Sequence, residues 1–234
     1  MKNCNEPKNQ TTRRILLIAC AAALAVVFTV SLPRQAQAQH VVVPPVPPTI
    51  QVEAVEAGNT AFLEGHAVGT QNYICLPCTV GPTCTTGFAY SLFTPEATLF
   101  NDDMDQIITH FNSPNLNPNP SPTPDVRGTI RATWESSRDT STIWAKAIAQ
   151  ADHSTDPTFV EQGAVAWVLL EVVGHMDGPT GGDRLSDETT FVQRLNTHGG
   201  VAPSDCASSA DIGKKAFVPY RANYFFYHKS DDGQ

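Results

Sequence analysis

The sequence predicts an all-β fold, a single antiparallel β-sandwich or barrel-like domain of about ten short strands. From about Ile50 onward, short apolar stretches rich in Val, Ile, Thr, Tyr, Phe and Trp alternate with clusters of Gly, Pro, Asn and Asp. No long stretch repeats with the period of a helix, which argues against parallel βαβ units. Many short strands joined by turns are typical of antiparallel sandwiches and barrels.

The candidate strands follow one another with turn residues between them. Residues 164–173 are bounded by glycines and could form a buried helix or a buried strand, but their Val and Trp content favours a central strand. Four prolines within 115–124 predict a surface loop. The predicted strands are Gln71–Cys75, Phe88–Phe93, Ala97–Phe100, Gln106–Phe111, Thr129–Trp134, Thr142–Ala147, Ala164–Val173, Phe191–Leu195 and Phe217–Tyr227.

The residues before the strands have the pattern of an export signal. A basic stretch at 1–14 precedes an apolar run at 15–32, and the small residues at 36–38 predict cleavage between Ala38 and Gln39. A retained membrane anchor is the alternative, because a run of that length can just span a bilayer. Arg13-Arg14 resembles a twin-arginine motif, so the Sec and twin-arginine routes both stay open. We expect a periplasmic or extracellular protein.

This pattern divides the chain into four segments. Residues 1–38 are interpreted as a signal peptide, and residues 39–49 as a proline-rich leader that acts as a stiff spacer. Residues 50–228 form the single β domain, and residues 229–234 form a C-terminal tail.

The charge of the chain excludes some classes of partner. Five of the 15 basic and one of the 23 acidic residues lie in residues 1–38, so the remaining 196 residues carry a net charge of −12. All ten of their basic residues lie at Arg127 or later. An acidic surface repels nucleic acid and anionic lipid, and it favours a neutral or cationic ligand or an envelope component. The sequence leaves the oligomeric state open.

Four cysteines remain after residue 38, and an even number in an exported chain predicts two disulfides with three possible pairings. A Cys75–Cys78 bridge is disfavoured because Cys75 ends a predicted strand. We favour Cys75–Cys206 with Cys78–Cys84. The alternative is redox chemistry, since Cys75-Leu76-Pro77-Cys78 looks like a thioredoxin motif, but no amphipathic helix follows it.

Metal binding is a weaker hypothesis. The acidic stretch 101–106 is similar to the start of a calcium loop, but it lacks the loop glycine and the bidentate glutamate, which favours a plain hairpin turn. The histidines are scattered without an H-x-H or H-x-x-x-H pair. No cofactor is evident, and a divalent cation is a possibility whose candidate ligands are His66, His110, His198, Asp102, Asp103 and Asp105.

A set of sequence blocks occurs in a recognisable order along the chain. The blocks are Gly69–Cys75, Ala97–Phe100, Thr109–Phe111, Trp134 with Asp139–Trp144, Trp167–Leu170, Gln193–Gly200, Ala202-Pro203 before Cys206, and Val218–Tyr227. Together they resemble the exported bacterial and fungal domain of unknown function family 3455 (DUF3455). The resemblance runs from about Ile50 to Tyr227 and implies one domain, export and a Cys75–Cys206 bridge, but no reaction.

These observations favour a binding or interaction module over an enzyme. The sequence has neither a G-x-S-x-G elbow nor a glycine-rich phosphate loop. An extracytoplasmic enzyme, hydrolytic or metal-dependent, and a structural envelope protein remain the alternatives. The residues we single out for ligand binding lie in or beside the blocks above, and they are His110, Trp134, Asp139, Arg194 and Asn196.

Overall fold

A computed structural model describes residues 41–81, 84–113, 116–117, 123–124, 129–179, 181–185 and 188–230. The predicted signal peptide, its cleavage site and residues 231–234 of the tail lie outside the described residues. In the part of the chain that is described, no helix is long and apolar enough to cross a bilayer.

The described chain consists mostly of strands. A 3-10 turn at Pro48–Ile50 and a single helical turn, α1 (Val52–Val55), precede the first strand, and a second 3-10 turn (Ser209–Asp211) lies between the last two. The strands are β1 (Asn59–Pro77), β2 (Phe88–Phe100), β3 (Gln106–Ser113), β4 (Leu116–Asn117), β5 (Thr123–Pro124), β6 (Arg131–Ser136), β7 (Thr142–Ala151), β8 (Trp167–Met176), β9 (Thr189–Gly199) and β10 (Lys215–Lys229).

Eight of these strands close into an antiparallel barrel in the order β1-β10-β9-β8-β7-β6-β3-β2. The predicted all-β class is confirmed, and of the two expected forms, sandwich and barrel, the structure is the barrel. The short strands β4 and β5 pair only with each other, within the segment expected to be a loop. Two residue pairs suffice for this small ladder because Pro124 stands at its end, where a missing N–H costs little.

The strands are longer than the sequence predicts at two places. β1 begins at Asn59 rather than Gln71, because its first half contains Gly65, Gly69 and polar residues that lower strand propensity. β2 runs through Pro95, where the sequence predicts a break. Proline is tolerated there because β3 pairs with β2 only from Ala97 onward, which leaves Pro95 on a strand with one neighbour.

Successive side chains along each strand point alternately into and out of the barrel, and this produces two hydrophobic cores. Inward side chains fill the barrel with one cluster, which includes Leu99, Trp134 and Phe226. Outward side chains such as Phe225 and Leu195 form a second cluster on the outer wall. The leader contributes to this outer cluster through Val41, Val43 and Val46, so the segment interpreted as a spacer packs against the barrel.

Three strands continue past the end of the barrel and form what we call the overhang, Thr70–Pro77 of β1, Phe88–Glu96 of β2 and Lys215–Pro219 of β10. In these segments β1 still pairs with both neighbours, whereas β9 has ended and β3 no longer pairs with β2. The disulfide Cys75–Cys206 joins the overhang to the β9–β10 loop, and Cys78–Cys84 closes the β1–β2 loop. This is the pairing favoured from the sequence.

Candidate functional site

We call the end of the barrel beneath the overhang the mouth. It is bordered by Val165, Ala166 and Gly200, and Val165 and Gly200 lie close to Gln71 and Tyr220. Five inward polar and aromatic side chains lie at or just below this end. We call them the mouth cluster: Gln71, His110, Arg194, Tyr220 and Tyr224. Strand pairing brings them together, since Arg194 pairs with Tyr224 across β9 and β10, and Tyr220 pairs with Gly69, two residues before Gln71.

His110 and Trp134 form an aromatic stack inside the barrel. They are directly paired on β3 and β6, and their rings lie 4.5 Å apart with an angle of 9° between their planes. His110 Nδ1–H donates to the backbone carbonyl of Thr133 at 2.8 Å, because a carbonyl can only accept. This fixes the tautomer and leaves a lone pair on Nε2.

His110 is a neutral group in this structure. Burial lowers the pKa of the imidazole to about 3; the hydrogen bond to Thr133 opposes that shift, and the positive charge of Arg194 adds to it. At neutral pH the ring therefore contributes a polar edge and a flat face, but no charge.

Two tyrosines complete the wall opposite the stack. The hydroxyl oxygens of Tyr220 and Tyr224 lie 3.3 Å apart, and both residues are buried. Burial raises the pKa of Tyr220 well above its usual value and Tyr224 adds to the rise, whereas Arg194 and Gln71 nearby oppose it. The raised pKa keeps the Tyr220 hydroxyl protonated at neutral pH, and a tyrosine hydroxyl can both donate and accept a hydrogen bond.

Arg194 is the cation of the mouth cluster. Its Nε and Nη2 donate to the carbonyl of Ala166 at 3.2 and 2.8 Å. No carboxylate of the described residues forms an ion pair with it. The side chain is partly buried, so solvent reaches it, and its charge acts on Tyr73, His110 and Tyr220.

Two further donors inside the barrel lack partners. The amide nitrogen of Gln71 and the indole nitrogen of Trp134 are buried, and within the described structure neither reaches an acceptor at hydrogen-bond distance. Gln71 lies beside Tyr220 and acts to lower the pKa of its hydroxyl, but its Nε2 forms no hydrogen bond of ordinary geometry with a described residue. Buried donors without partners are costly, so they indicate where an acceptor is missing.

The other two residues singled out for ligand binding lie elsewhere. Asp139 sits in the β6–β7 turn, at the end of the barrel opposite the mouth. Its carboxylate accepts bonds from Ser141 N and Oγ at 3.1 and 2.8 Å and from Arg184 N at 3.0 Å. Burial works to raise its pKa, but these hydrogen bonds hold it at about 2. Asn196 occupies a left-handed backbone conformation (φ 50°) near a bulge of β9.

The candidate metal ligands are spread over three places. His66 faces outward, with Nε2 2.8 Å from Asp102 Oδ1 and Nδ1 3.3 Å from Asn223 Oδ1. His198 pairs with Glu161 on another part of the outer wall, and His110 lies inside the barrel. Among the described residues no group of three or more His, Cys, Asp or Glu side chains is placed to hold a metal ion.

The acidic stretch 101–106 forms the β2–β3 turn. Asn101 N donates to the carbonyl of Asp105 at 3.0 Å, and Asp105 N donates to Asn101 Oδ1 at 2.8 Å. Asp105 binds Arg138 at 3.1 Å. Asp103 is exposed in the same turn. The geometry is that of a hairpin turn.

A family model described as "Protein of unknown function (DUF3455)" matches residues 56–228. The chain belongs to the DUF3455 family. No curated protein and no solved structure matches it. The match spans all eight barrel strands almost to the end of β10, so the mouth cluster lies wholly inside the DUF3455 domain.

Sequence reasoning identified part of this DUF3455 mouth cluster. The sequence singles out two of its members, His110 and Arg194, together with Trp134, on which His110 stacks. The structure places all three inside the barrel, with Arg194 near His110. Gln71 was missed. The sequence shows Gln71 only as a polar residue within a strand. That its side chain points into the barrel becomes known only when the strand register is known.

Proposed function

We propose that this DUF3455 chain is a binding module whose ligand is a small molecule that enters the barrel mouth and contacts the mouth cluster. The observation that carries the proposal is Arg194, a partly buried guanidinium whose hydrogen bonds within the described structure go to one backbone carbonyl. A buried charge without a partner is destabilising, and a ligand group that pairs with it removes that cost.

The architecture supports this proposal. Eight-stranded barrels have an interior just wide enough for side chains or for one small ligand. Here the end below the mouth is packed with apolar side chains such as Leu99 and Phe226, whereas the mouth end holds polar groups on aromatic rings. Mostly apolar walls with a few convergent polar groups are typical of small-molecule sites.

Binding is favoured over catalysis by the surroundings of His110. The hydrogen bond that the structure gives this ring goes to a backbone carbonyl, which holds it in place and does not couple it to a nucleophile. The pKa of about 3 also places it far from the range of an effective general base at neutral pH.

Export forms part of the proposal. Two disulfides are stable in an oxidising compartment, which supports a periplasmic or extracellular location for the barrel.

A fragment screen on two matched variants tests the proposed site. Val165 lies at the mouth, close to where Gln71 and Tyr220 meet Gly200, and Val165→Phe adds bulk there that should block entry of the proposed ligand. Val173→Phe makes the same change on the outer wall, in a groove of about 410 Å³ lined by Arg131 and Trp144. Saturation-transfer NMR with neutral, cationic and anionic fragments is the measurement.

We expect fragments that bind the wild-type protein to lose binding in Val165→Phe and to keep it in Val173→Phe. Thermal unfolding of both variants checks that the barrel is intact. The reverse pattern, with binding lost only in Val173→Phe, would assign the ligand to the outer wall and overturn the proposal.

A further inference from the structure

We infer that the ligand of the barrel mouth is a small organic carboxylate with a planar, largely apolar body. This inference rests on the proposed function and specifies the chemistry of its ligand. It follows from the balance of hydrogen-bond donors, from the charge of the mouth, and from the shape of its walls.

The mouth has more donors than acceptors. A guanidinium carries five N–H groups, and the two nitrogens of Arg194 that bond to Ala166 leave the remaining N–H groups without a described acceptor. Gln71 Nε2 and Trp134 Nε1 add two buried donors that lack acceptors within the described residues. A ligand that satisfies this set must therefore bring acceptor oxygens.

The charge of the mouth is positive. Arg194 contributes one positive charge, His110 is neutral, and the Tyr220 hydroxyl is protonated. No acidic side chain among the described residues pairs with Arg194. A monocarboxylate neutralises one guanidinium, and the two groups match in a bidentate geometry that an ammonium or a neutral amide lacks.

The walls select the body of the ligand. His110 is already stacked on Trp134, and the Tyr224 ring lies 5.2 Å from His110 and 5.8 Å from Trp134, so buried aromatic rings lie beside the polar groups. Planar apolar molecules gain from contact with such surfaces. The His110 Nε2 lone pair offers an acceptor to a ligand hydroxyl.

The inference departs from the expectation drawn from whole-chain charge, which favours neutral or cationic ligands. The net charge describes the outer surface, where carboxylates such as Glu64 and Asp102 neighbour His66 and Asn223. The field inside the mouth is set by the nearest charge, which is Arg194.

Three probes of one shape and different charge test the inference on the full exported chain, by isothermal titration calorimetry. Benzoate is the anion, benzamide its neutral analogue and benzylammonium the cation. We expect benzoate to bind at least about tenfold more tightly than the other two, as charge-assisted hydrogen bonds to a guanidinium provide. Arg194→Gln should abolish that preference, whereas Arg131→Gln, on the outer wall, should retain it.

A second variant covers the case in which Arg194→Gln does not fold. Gln71→Glu places a carboxylate in the mouth beside Tyr220 and should abolish the benzoate preference while leaving the Ala166 contacts of Arg194 intact. A benzoate preference that survives Gln71→Glu overturns the inference.

The outcomes separate the two proposals. If benzamide or benzylammonium binds as tightly as benzoate and Val165→Phe abolishes that binding, the carboxylate inference is overturned while the mouth remains the binding site. If benzoate binds preferentially but equally well to Val165→Phe, the mouth is excluded and both proposals are overturned.

Discussion

Residue size explains how the barrel accommodates its large interior rings. One inward row crosses five strands in register, and small and large residues are grouped along it: Tyr220, Gly69, Ala97, His110 and Trp134. The two small residues in the middle leave space that the flanking rings occupy. The stack of His110 on Trp134 therefore depends on the small neighbours Gly69 and Ala97 as well as on the strand pairing of the two stacked residues.

The buried imidazole predicts an acid-dependent loss of stability. Between pH 6.5 and 3 an unfolded chain binds a proton at His110 that the folded chain excludes, so the free energy of unfolding falls as pH falls through this window. His110→Gln removes this contribution and should flatten the pH profile by up to about 1.4 kcal/mol per pH unit. Urea unfolding at intervals between pH 3.5 and 7.5 measures it.

His66→Gln serves as the control for this pH profile, because the pKa of His66 is shifted in the opposite direction to that of His110. Partial burial lowers the pKa of His66, but hydrogen bonds to Asp102 and Asn223 and the charge of Glu64 outweigh it and raise the pKa. Its contribution is present below pH 6.5 and lost as pH rises through the raised pKa. Parallel profiles for the wild-type protein and His110→Gln would contradict the assignment of a neutral, buried His110.

At the scale of elements, the overhang explains where prolines lie in the strands. Pro95 and Pro219 both stand where β2 and β10 have left their barrel neighbours β3 and β9 and keep only β1 as a partner. A missing N–H can face the open side at such positions, which it cannot do in the closed barrel. The two prolines thus mark the boundary between barrel and overhang.

The pairing of β1 with β2 depends on Gly69. A Cβ atom added at this position would lie 2.0 Å from the carbonyl oxygen of Glu96 and 2.5 Å from the Cα of Ala97, both backbone atoms that cannot move aside without shifting the strand. Gly69→Ala should therefore lower the free energy of unfolding by about 1–3 kcal/mol, the usual cost of overpacking. Chemical denaturation followed by far-UV circular dichroism measures the loss.

Thr70→Ala is the matched control for Gly69→Ala, because Thr70 faces outward on the neighbouring position of the same strand. We expect it to change stability by less than about 0.5 kcal/mol, as outer-surface substitutions commonly do. Equal losses in the two variants would show that the close approach at Gly69 is unimportant.

Strand existence was more predictable from the sequence than strand register. Phe88–Phe93 and Ala97–Phe100 were expected as separate strands and are one, because propensity does not reveal that Pro95 lies at a free edge. Arg194 and Asn196 were expected to point to one site. A bulge of β9 and the left-handed φ of Asn196 interrupt the alternation, so two residues of separation no longer guarantee a shared face.

Asp139 also shows that the sequence alone does not reveal which polar residues share a site. It lies in one of the blocks on which the sequence resemblance is based and has a pKa lowered to about 2, yet its carboxylate is used in holding a turn together. Chain position alone does not distinguish such a carboxylate from one in a binding site. Whether a loop carboxylate can reach the mouth depends on which end of the barrel the loop occupies, and this is decided by how the sheet closes.

At the scale of the whole molecule, closure of the barrel and the Cys75–Cys206 disulfide both join an early part of the chain to a late one. β1 pairs with β10 along almost its full length, so the first and last strands close the barrel. The outer core also includes residues that precede β1, namely the leader valines and Ile50. The Ile50 carbonyl accepts a hydrogen bond from Gln193 Nε2 at 2.6 Å. Most stabilising contacts therefore join residues far apart in the chain, and forming them costs loop-closure entropy.

The two disulfides should reduce that cost by very different amounts. Cys75–Cys206 joins residues 131 positions apart, whereas Cys78–Cys84 joins residues 6 apart. The chain-entropy relation assigns about 5 kcal/mol to the long loop and about 2 kcal/mol to the short one. We therefore expect the double substitution of Cys75 and Cys206 by Ala to lower the free energy of unfolding by more than twice as much as the same change at Cys78 and Cys84. Urea denaturation of both double variants measures this.

The two double variants also separate chain entropy from local support of the overhang. Cys75 N donates to Lys214 O at 2.8 Å, and Gly213 N donates to Cys75 O at 3.0 Å, so the β9–β10 loop retains backbone bonds to the overhang without the long disulfide. If the bridge acts through the unfolded chain, the wild-type rate of hydrogen exchange at these amides should persist under native conditions while global stability falls. Fast exchange confined to residues 201–214 at unchanged global stability would show instead that Cys75–Cys206 supports only the loop.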